Sequence, residues 1–185
     1  MNSSYKCILI GIFTIIFSCK SQNKNGILDL SNKGLDSIPN LSKKNEVINL
    51  DLSGNNISFW DEKKIPPNVN KLNLSHNKIT KEVKISPKKL NFLKYIDLSH
   101  NDIEKFYSYS YSLDTIKINN NNIKQLLIFN SKQAASEKKI NYLDISENKY
   151  LSNALDFPPS NIKSIKYNGI LNDGELYFKL VRKKK

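Results

Sequence analysis

Val69-Asn70-Lys71-Leu72-Asn73-Leu74-Ser75-His76-Asn77-Lys78-Ile79 sets apolar residues at 69, 72, 74 and 79 around an asparagine at 77. The same template recurs on both sides. Upstream it reads Val47, Leu50, Leu52, Asn55, Ile57. Downstream come Leu93, Ile96, Leu98, Asn101, Ile103, then Leu113, Ile116, Ile118, Asn121, Ile123, then Ile140, Leu143, Ile145, Asn148, Tyr150. A degenerate first copy keeps Leu28, Leu30 and Leu35 with Lys33 in the asparagine slot, and a fading last copy keeps Ile162, Ile165 and Tyr167. The slot falls at 33, 55, 77, 101, 121 and 148, so successive steps are 22, 22, 24, 20 and 27 residues. A period in this range belongs to repeat architectures in which one unit cannot bury its own apolar face. Stacked units bury a continuous ladder, and stability comes from neighbour interfaces.

Each unit supplies a short strand around its L-x-L and a return segment behind it. The asparagines are expected to be structural. The chain leaves the strand in a tight turn that strands backbone N–H and C=O groups inside the coil. An amide side chain satisfies both kinds, whereas an unmade buried bond costs about 1–3 kcal/mol. At this point the chain resembles the leucine-rich repeat family over about residues 25–170. The resemblance implies an α/β solenoid: short parallel strands on a concave face, an irregular or short-helical convex face, about six coils and a C-terminal cap.

The return segments look mixed. Phe59–Lys64 suits a helical turn, and Ser131–Lys139 is the best candidate for a short helix because it is rich in Ala and straight-chain residues. Ile65-Pro66-Pro67 and Phe157-Pro158-Pro159 cannot be helical through their prolines and should be extended. Ile170–Phe178 reads as a hairpin around Asp173-Gly174 that caps the last coil, followed by the basic tail Arg182–Lys185.

At the other end, Met1–Lys6 is polar with one positive charge and Cys7–Phe17 is an apolar run, too short to span a bilayer and ordered like a secretory signal peptide. Ile16-Phe17-Ser18-Cys19 resembles the bacterial lipobox. That implies cleavage before Cys19 and acylation of its thiol and amine, and several acyl chains anchor a protein stably where one does not. Cys7 and Cys19 are the only cysteines, so the mature chain is expected to carry no disulfide. The expected organisation is a signal peptide over 1–18, a lipidated tether over 19–25, the repeat domain over 26–169, and a cap and tail over 170–185. The expected location is a bacterial cell envelope, with either face of the outer membrane open.

The net charge of +12 comes almost wholly from lysine, with Arg182 the single arginine. Nucleic-acid recognition leans on arginine, so nucleic acid is not an expected partner. Scattered lysine pairs read as a solvated surface with some attraction to anionic membrane or glycan.

In leucine-rich repeat proteins partners usually bind the concave face. Strand alternation points the residues that flank each buried core position outward. The expected partner-binding set is therefore Asp51, Lys71, Asn73, Tyr95, Asp97, Lys117, Tyr142 and Asp144, with Tyr95 and Tyr142 around Lys117 as the preferred anchors. Asp29, Asp51, Asp97 and Asp144 form a stripe with two readings: a receptor for a cationic partner, or the common Leu-Asp-Leu-Ser consensus, which is favoured. Phe106–Tyr111 puts Tyr107, Tyr109 and Tyr111 on one side and serines on the other. The tyrosines are either an exposed aromatic patch or the packed back of the coil, and packing is favoured.

His76 and His100 occupy the same slot in consecutive copies and should stack, but no third ligand accompanies them, so no metal site is expected. No nucleophile–base–acid arrangement and no phosphate-binding glycine loop emerges. The expected function is non-enzymatic: a lipid-anchored monomer, without cofactor, that recognises a protein through its concave face. The rival is a module that binds anionic glycan or lipopolysaccharide through lysines.

Overall fold

The computed structural model describes residues 26–110, 112–128, 140–148, 155–156 and 162–166. The signal peptide, Cys19 and the tether, the candidate helix over 131–139, the second proline segment and the C-terminal hairpin and tail lie outside the described residues.

Each copy of the template folds into one coil that begins with a strand. These are β1 (Ile27–Asp29), β2 (Asn49–Asp51), β3 (Lys71–Asn73), β5 (Tyr95–Asp97), β7 (Thr115–Lys117), β9 (Tyr142–Asp144) and β11 (Ile165–Lys166). They pair in parallel in the order β1-β2-β3-β5-β7-β9-β11. The register joins equivalent positions: Leu28 to Leu50, Leu50 to Leu72, Leu72 to Ile96, Ile96 to Ile116, Ile116 to Leu143 and Leu143 to Ile165. The central residue of each strand points inward and its two neighbours outward, because strand side chains alternate. Leu52, Leu74, Leu98, Ile118 and Ile145 continue the buried ladder beyond the strands. Val47, Val69, Leu93, Leu113 and Ile140 begin it.

The turn that follows each strand is left-handed at one residue, with positive φ at Asn32, Gly54, His76, His100, Asn120 and Glu147. Glycine and asparagine suit this region, and histidine enters it more often than most residues. The next residue is the ladder asparagine. Asn101 shows its work: Nδ2 donates to the carbonyls of Leu98 at 3.0 Å, Ser99 at 3.3 Å and, in the previous coil, Leu74 at 3.0 Å. Its Oδ1 accepts from the previous coil's Ile79 N–H at 2.9 Å. Asn77, Asn121 and Asn148 repeat the pattern onto Ile57, Ile103 and Ile123. Asn55 receives both Lys33 N–H and Leu35 N–H. Each asparagine thus ties its own turn to the preceding coil. Lys33, in the asparagine slot of the first coil, is tied through its backbone, its N–H donating to Asn55 Oδ1.

The return side differs from the irregular or short-helical expectation. A single 3-10 turn, Glu62–Lys64, forms within the predicted helical stretch, with the Asp61 carboxylate accepting from Lys63 N–H. Pro66 and Pro67 are non-helical as expected, and Val69 N–H closes a turn onto the Pro66 carbonyl. Behind the coils that begin with β3, β5, β7 and β9, the backing is a second parallel sheet, in the order β10-β8-β6-β4. Its strands are β4 (Thr80–Ile85), β6 (Asp102–Ser108), β8 (Gln125–Ile128) and β10 (Leu155–Asp156). The register shifts between Lys81 and Glu82; past that point burial alternates at period two along β4, β6 and β8, and Val83, Ile85, Phe106, Leu126 and Ile128 are buried between the two sheets. Phe106 is the largest fully buried side chain.

The preferred reading of the tyrosine row reverses here. Phe106 pairs with Val83 and Leu126 in register, so it must face inward, and alternation carries Ser108 and Ser110 inward with it. Tyr107 and Tyr109 point outward and are half-buried, while Tyr111 lies outside the described residues. The inward serines are satisfied locally: Ser110 N–H donates to Ser108 Oγ, the Ser110 and Ser112 hydroxyls bond at 2.8 Å, and Ser112 Oγ donates to the Leu93 carbonyl.

Candidate functional site

All eight residues expected on the concave face lie on the outward side of the first sheet. One column runs Asn49, Lys71, Tyr95, Thr115, Tyr142 and the other runs Asp51, Asn73, Asp97, Lys117, Asp144, Lys166. Paired strands lie about 4.8 Å apart, so these columns form one continuous surface on short, hydrogen-bonded strands.

The centre of the surface is Tyr95. Lys71 Nζ lies 5.0 Å and Lys117 Nζ 5.7 Å from its ring centroid, both within cation–π range. The Tyr95 hydroxyl donates to Asp97 Oδ2 at 3.1 Å, and Lys117 Nζ sits 3.7 Å from the same oxygen. Burial, then the Asp97 charge, raises the Tyr95 phenol above its ordinary range. The hydrogen bond to Tyr95 chiefly raises Lys117 as well, against the opposing pull of burial. At neutral pH Tyr95 is therefore a neutral ring beside the Lys117 ammonium.

Tyr142 repeats the motif one rung beyond Thr115 and Lys117. Its hydroxyl donates to Asp144 Oδ2 at 3.1 Å, and Lys166 Nζ lies 3.5 Å from that oxygen. Burial and the Asp144 charge raise the Tyr142 phenol. Burial pushes the Asp144 carboxyl up, but bonds from Ser146 and Tyr142 and the Lys166 charge outweigh it and hold the group below its ordinary value. Lys166 was not among the eight. It follows from the same column rule applied to the fading last copy.

The aspartate stripe is engaged within the sheet. Oδ1 of Asp29, Asp51, Asp97 and Asp144 accepts both N–H and Oγ–H of the serine two residues on: Ser31, Ser53, Ser99 and Ser146. The second oxygen of Asp51 accepts from Asn73 Nδ2 at 3.1 Å. Asp144 is only 5% exposed. This geometry favours the consensus reading, in which the carboxylates close the turn after each strand. Toward the first coil, Ile27, Asn49, Leu50, Asp51, Lys71 and Asn73 line a shallow open depression.

The two histidines stack as expected, with ring centroids 4.2 Å apart and planes at 10°. Among the described residues no group of three or more His, Cys, Asp or Glu side chains could hold a metal ion. Among them, too, no helix is long and apolar enough to cross a membrane.

No protein-family model matches the chain, and no curated protein matches it. Among solved structures, a chain of the LRIM1/APL1C complex superposes with a TM-score of 0.52 at 21% identity, covering 71% of this chain and 26% of that one. This chain thus spans about a quarter of that neighbour. At such identity the likeness concerns the fold. The parallel-strand coils, the asparagine ladder and this likeness fit a leucine-rich repeat solenoid.

Proposed function

We propose that this chain is a non-enzymatic recognition protein that binds a protein partner through the concave sheet. The observation that carries the reading is the Tyr95 cluster. Lys71, Lys117 and Asp97 hold an aromatic side chain in one position on a rigid strand, so little side-chain entropy is lost when a partner covers it. Tyr142 with Asp144 and Lys166 forms a second anchor on the same face. Thr115 and Asn73 supply polar contacts between and beside them. The fold neighbour was itself solved as a complex, which agrees with an interaction role.

The lipobox-like Ile16-Phe17-Ser18-Cys19 supports an anchor at Cys19 in a bacterial envelope membrane, with the arc working as a monomer at either face of that membrane. The test uses tagged wild-type chain and the double variant Tyr95→Ala, Lys117→Glu, each recovered from native cells with bound proteins. A partner present on wild type and lost on the folded double variant supports the reading; equal recovery on both contradicts it. Cys19→Ala is expected to move the chain from the membrane to the soluble fraction, and continued membrane association would refute the anchor.

A further inference from the structure

We propose that the occupant of the concave sheet is a proline-rich segment of the partner, lying along the solenoid axis as a polyproline II helix, a proposal that rests on the concave sheet binding a protein. Its outward side chains repeat every two coils. The strands β2, β5 and β9, every second one in the sheet, carry Asp51, Asp97 and Asp144. The strand after each supplies a donor. Asn73 Nδ2 donates to Asp51 Oδ2 at 3.1 Å, and Lys117 Nζ and Lys166 Nζ lie 3.7 Å and 3.5 Å from Oδ2 of Asp97 and Asp144. On β5 and β9 a tyrosine hydroxyl bonds the same oxygen. On β2 the smaller Asn49 stands in the tyrosine column, and there the depression lined by Ile27, Leu50 and Lys71 opens. Between the two rings, β7 carries only Thr115 in that column. Hollow, ring and ring thus follow at two-strand steps of about 9.6 Å each.

That step selects the backbone conformation of the occupant. A polyproline II helix has three residues per turn and a rise of about 3.1 Å, so every third residue returns to the same side after about 9.3 Å. An extended strand returns a side chain to the same side after about 6.6 Å or about 13 Å, and two turns of an α-helix span about 10.8 Å. Over the two steps from β2 to β9, about 19 Å, the polyproline helix drifts by roughly 0.6 Å and the α-helix by roughly 2.4 Å.

The chemistry of the face agrees. Polyproline II has no internal hydrogen bonds and proline has no N–H, so such a segment presents carbonyl acceptors and needs donors. Within the sheet the carboxylates already accept from serines, tyrosines and their neighbours. Asn73, Lys117 and Lys166 each keep N–H groups beyond the one turned to aspartate, and they recur at the same two-strand step, one per turn of the ligand. From β2 to β11 the two outward columns hold three ammonium groups, on Lys71, Lys117 and Lys166, against the three aspartates. β1 adds one more carboxylate, Asp29. Neither sign dominates, which suits an uncharged segment. Tyr95 and Tyr142 are half-buried and tied at their hydroxyls, so the rings on which proline packs are positioned in advance.

The experiment is fluorescence anisotropy of labelled dodecaproline titrated with the full chain, beside a labelled Gly-Ser peptide of equal length and labelled heparin. Dodecaproline is expected to bind and the Gly-Ser peptide is not. Tyr95→Ala with Tyr142→Ala should weaken binding about tenfold or more. Thr115→Tyr, at an outward position that leaves the core intact, breaks the two-strand step and should weaken it too, whereas Lys63→Ala on the return side should not. The Trp60 fluorescence melt establishes that each variant is folded. No binding of dodecaproline up to about 1 mM, equal binding of the Gly-Ser peptide, tighter binding of heparin, or affinity unchanged in the double tyrosine variant or raised by Thr115→Tyr overturns the proposal. Should those results come with a native partner that wild type captures and Tyr95→Ala, Lys117→Glu loses, protein recognition by the concave sheet stands and only the polyproline assignment falls.

Discussion

Asn101→Ala isolates what the asparagine ladder contributes. The side chain is 7% exposed and makes four hydrogen bonds, but their loss is unequal. The Leu74 carbonyl keeps a bond from Asn77 Nδ2 and the Leu98 carbonyl keeps one from Asn121 Nδ2. The Ser99 carbonyl keeps His76 N–H. Ile79 N–H, deep between coils, loses its acceptor. Orphaning that donor costs about 1–3 kcal/mol, and the weakened carbonyls add roughly another 1 kcal/mol, so the variant should lose about 3 kcal/mol. That is a large share of the roughly 5–15 kcal/mol of a typical domain.

Asn101→Asp sharpens the test. The introduced carboxylate can still accept from Ile79 N–H, but its other oxygen faces three carbonyls without a proton to give. At neutral pH it should therefore be worse than Asn101→Ala. Buried among acceptors, its folded-state pKa lies above the ordinary carboxylate value. Its deficit against wild type is thus largest at neutral pH and shrinks as pH falls through that raised value, where the protonated form can donate. The assay is urea unfolding read by the fluorescence of Trp60, the chain's single tryptophan. A lower midpoint with unchanged slope reports stability alone. An Asn101→Ala change under about 0.5 kcal/mol, the size of an ordinary surface substitution, would refute the ladder's role, as would Asn101→Asp being the milder variant at neutral pH.

Three further outcomes follow from the same geometry. Leu74→Asp places a charge in the fully buried ladder and should abolish the cooperative melt by circular dichroism; an unchanged melting temperature would contradict the register. Glu147→Gly relieves a left-handed residue at φ 55° and should stabilise by about 0.5–1 kcal/mol in the urea assay, with destabilisation counting against strain there. Ser146→Ala removes the 2.6 Å bond that helps depress the Asp144 carboxyl. Because that folded-state value lies below the unfolded one, the stabilisation is present above the unfolded value of about 3.9 and is lost as pH falls through the folded value. The variant should trail wild type by about 1 kcal/mol at pH 7, the size of one side-chain hydrogen bond. The gap should close under acid; a gap independent of pH would show that the bond does not act through the carboxylate.

The first sheet was legible because one template specifies both burial and turn. Wherever Leu-x-Leu precedes the asparagine slot, the middle residue of the strand must face in, so all eight concave positions could be placed from spacing. The return side was harder to read. Thr80–Ile85 and Asp102–Ser108 alternate at period two only in their second halves, past the register shift at Lys81 and Glu82, and their facing is set by partners far along the chain. Phe106 faces in because Val83 and Leu126 do, and that pairing sends Tyr107 and Tyr109 outward against the ordinary tendency of aromatic rows to pack. The engagement of the aspartates was visible in the Asp-x-Ser spacing, a local side-chain-to-backbone motif. Which side chains converge on Tyr95 depended on lysine conformations across three strands, which no single repeat encodes.

The claim that the concave face recognises a protein is tested most directly by photocrosslinking in intact native cells. A benzophenone amino acid is placed at Thr115, between Tyr95 and Tyr142 on the concave side, or at exposed Lys63 on the return side. The account predicts a discrete protein adduct from position 115, none from position 63, and loss of the adduct when Lys117→Glu is added. An adduct from position 63 alone, or one from 115 that ignores Lys117→Glu, would contradict it.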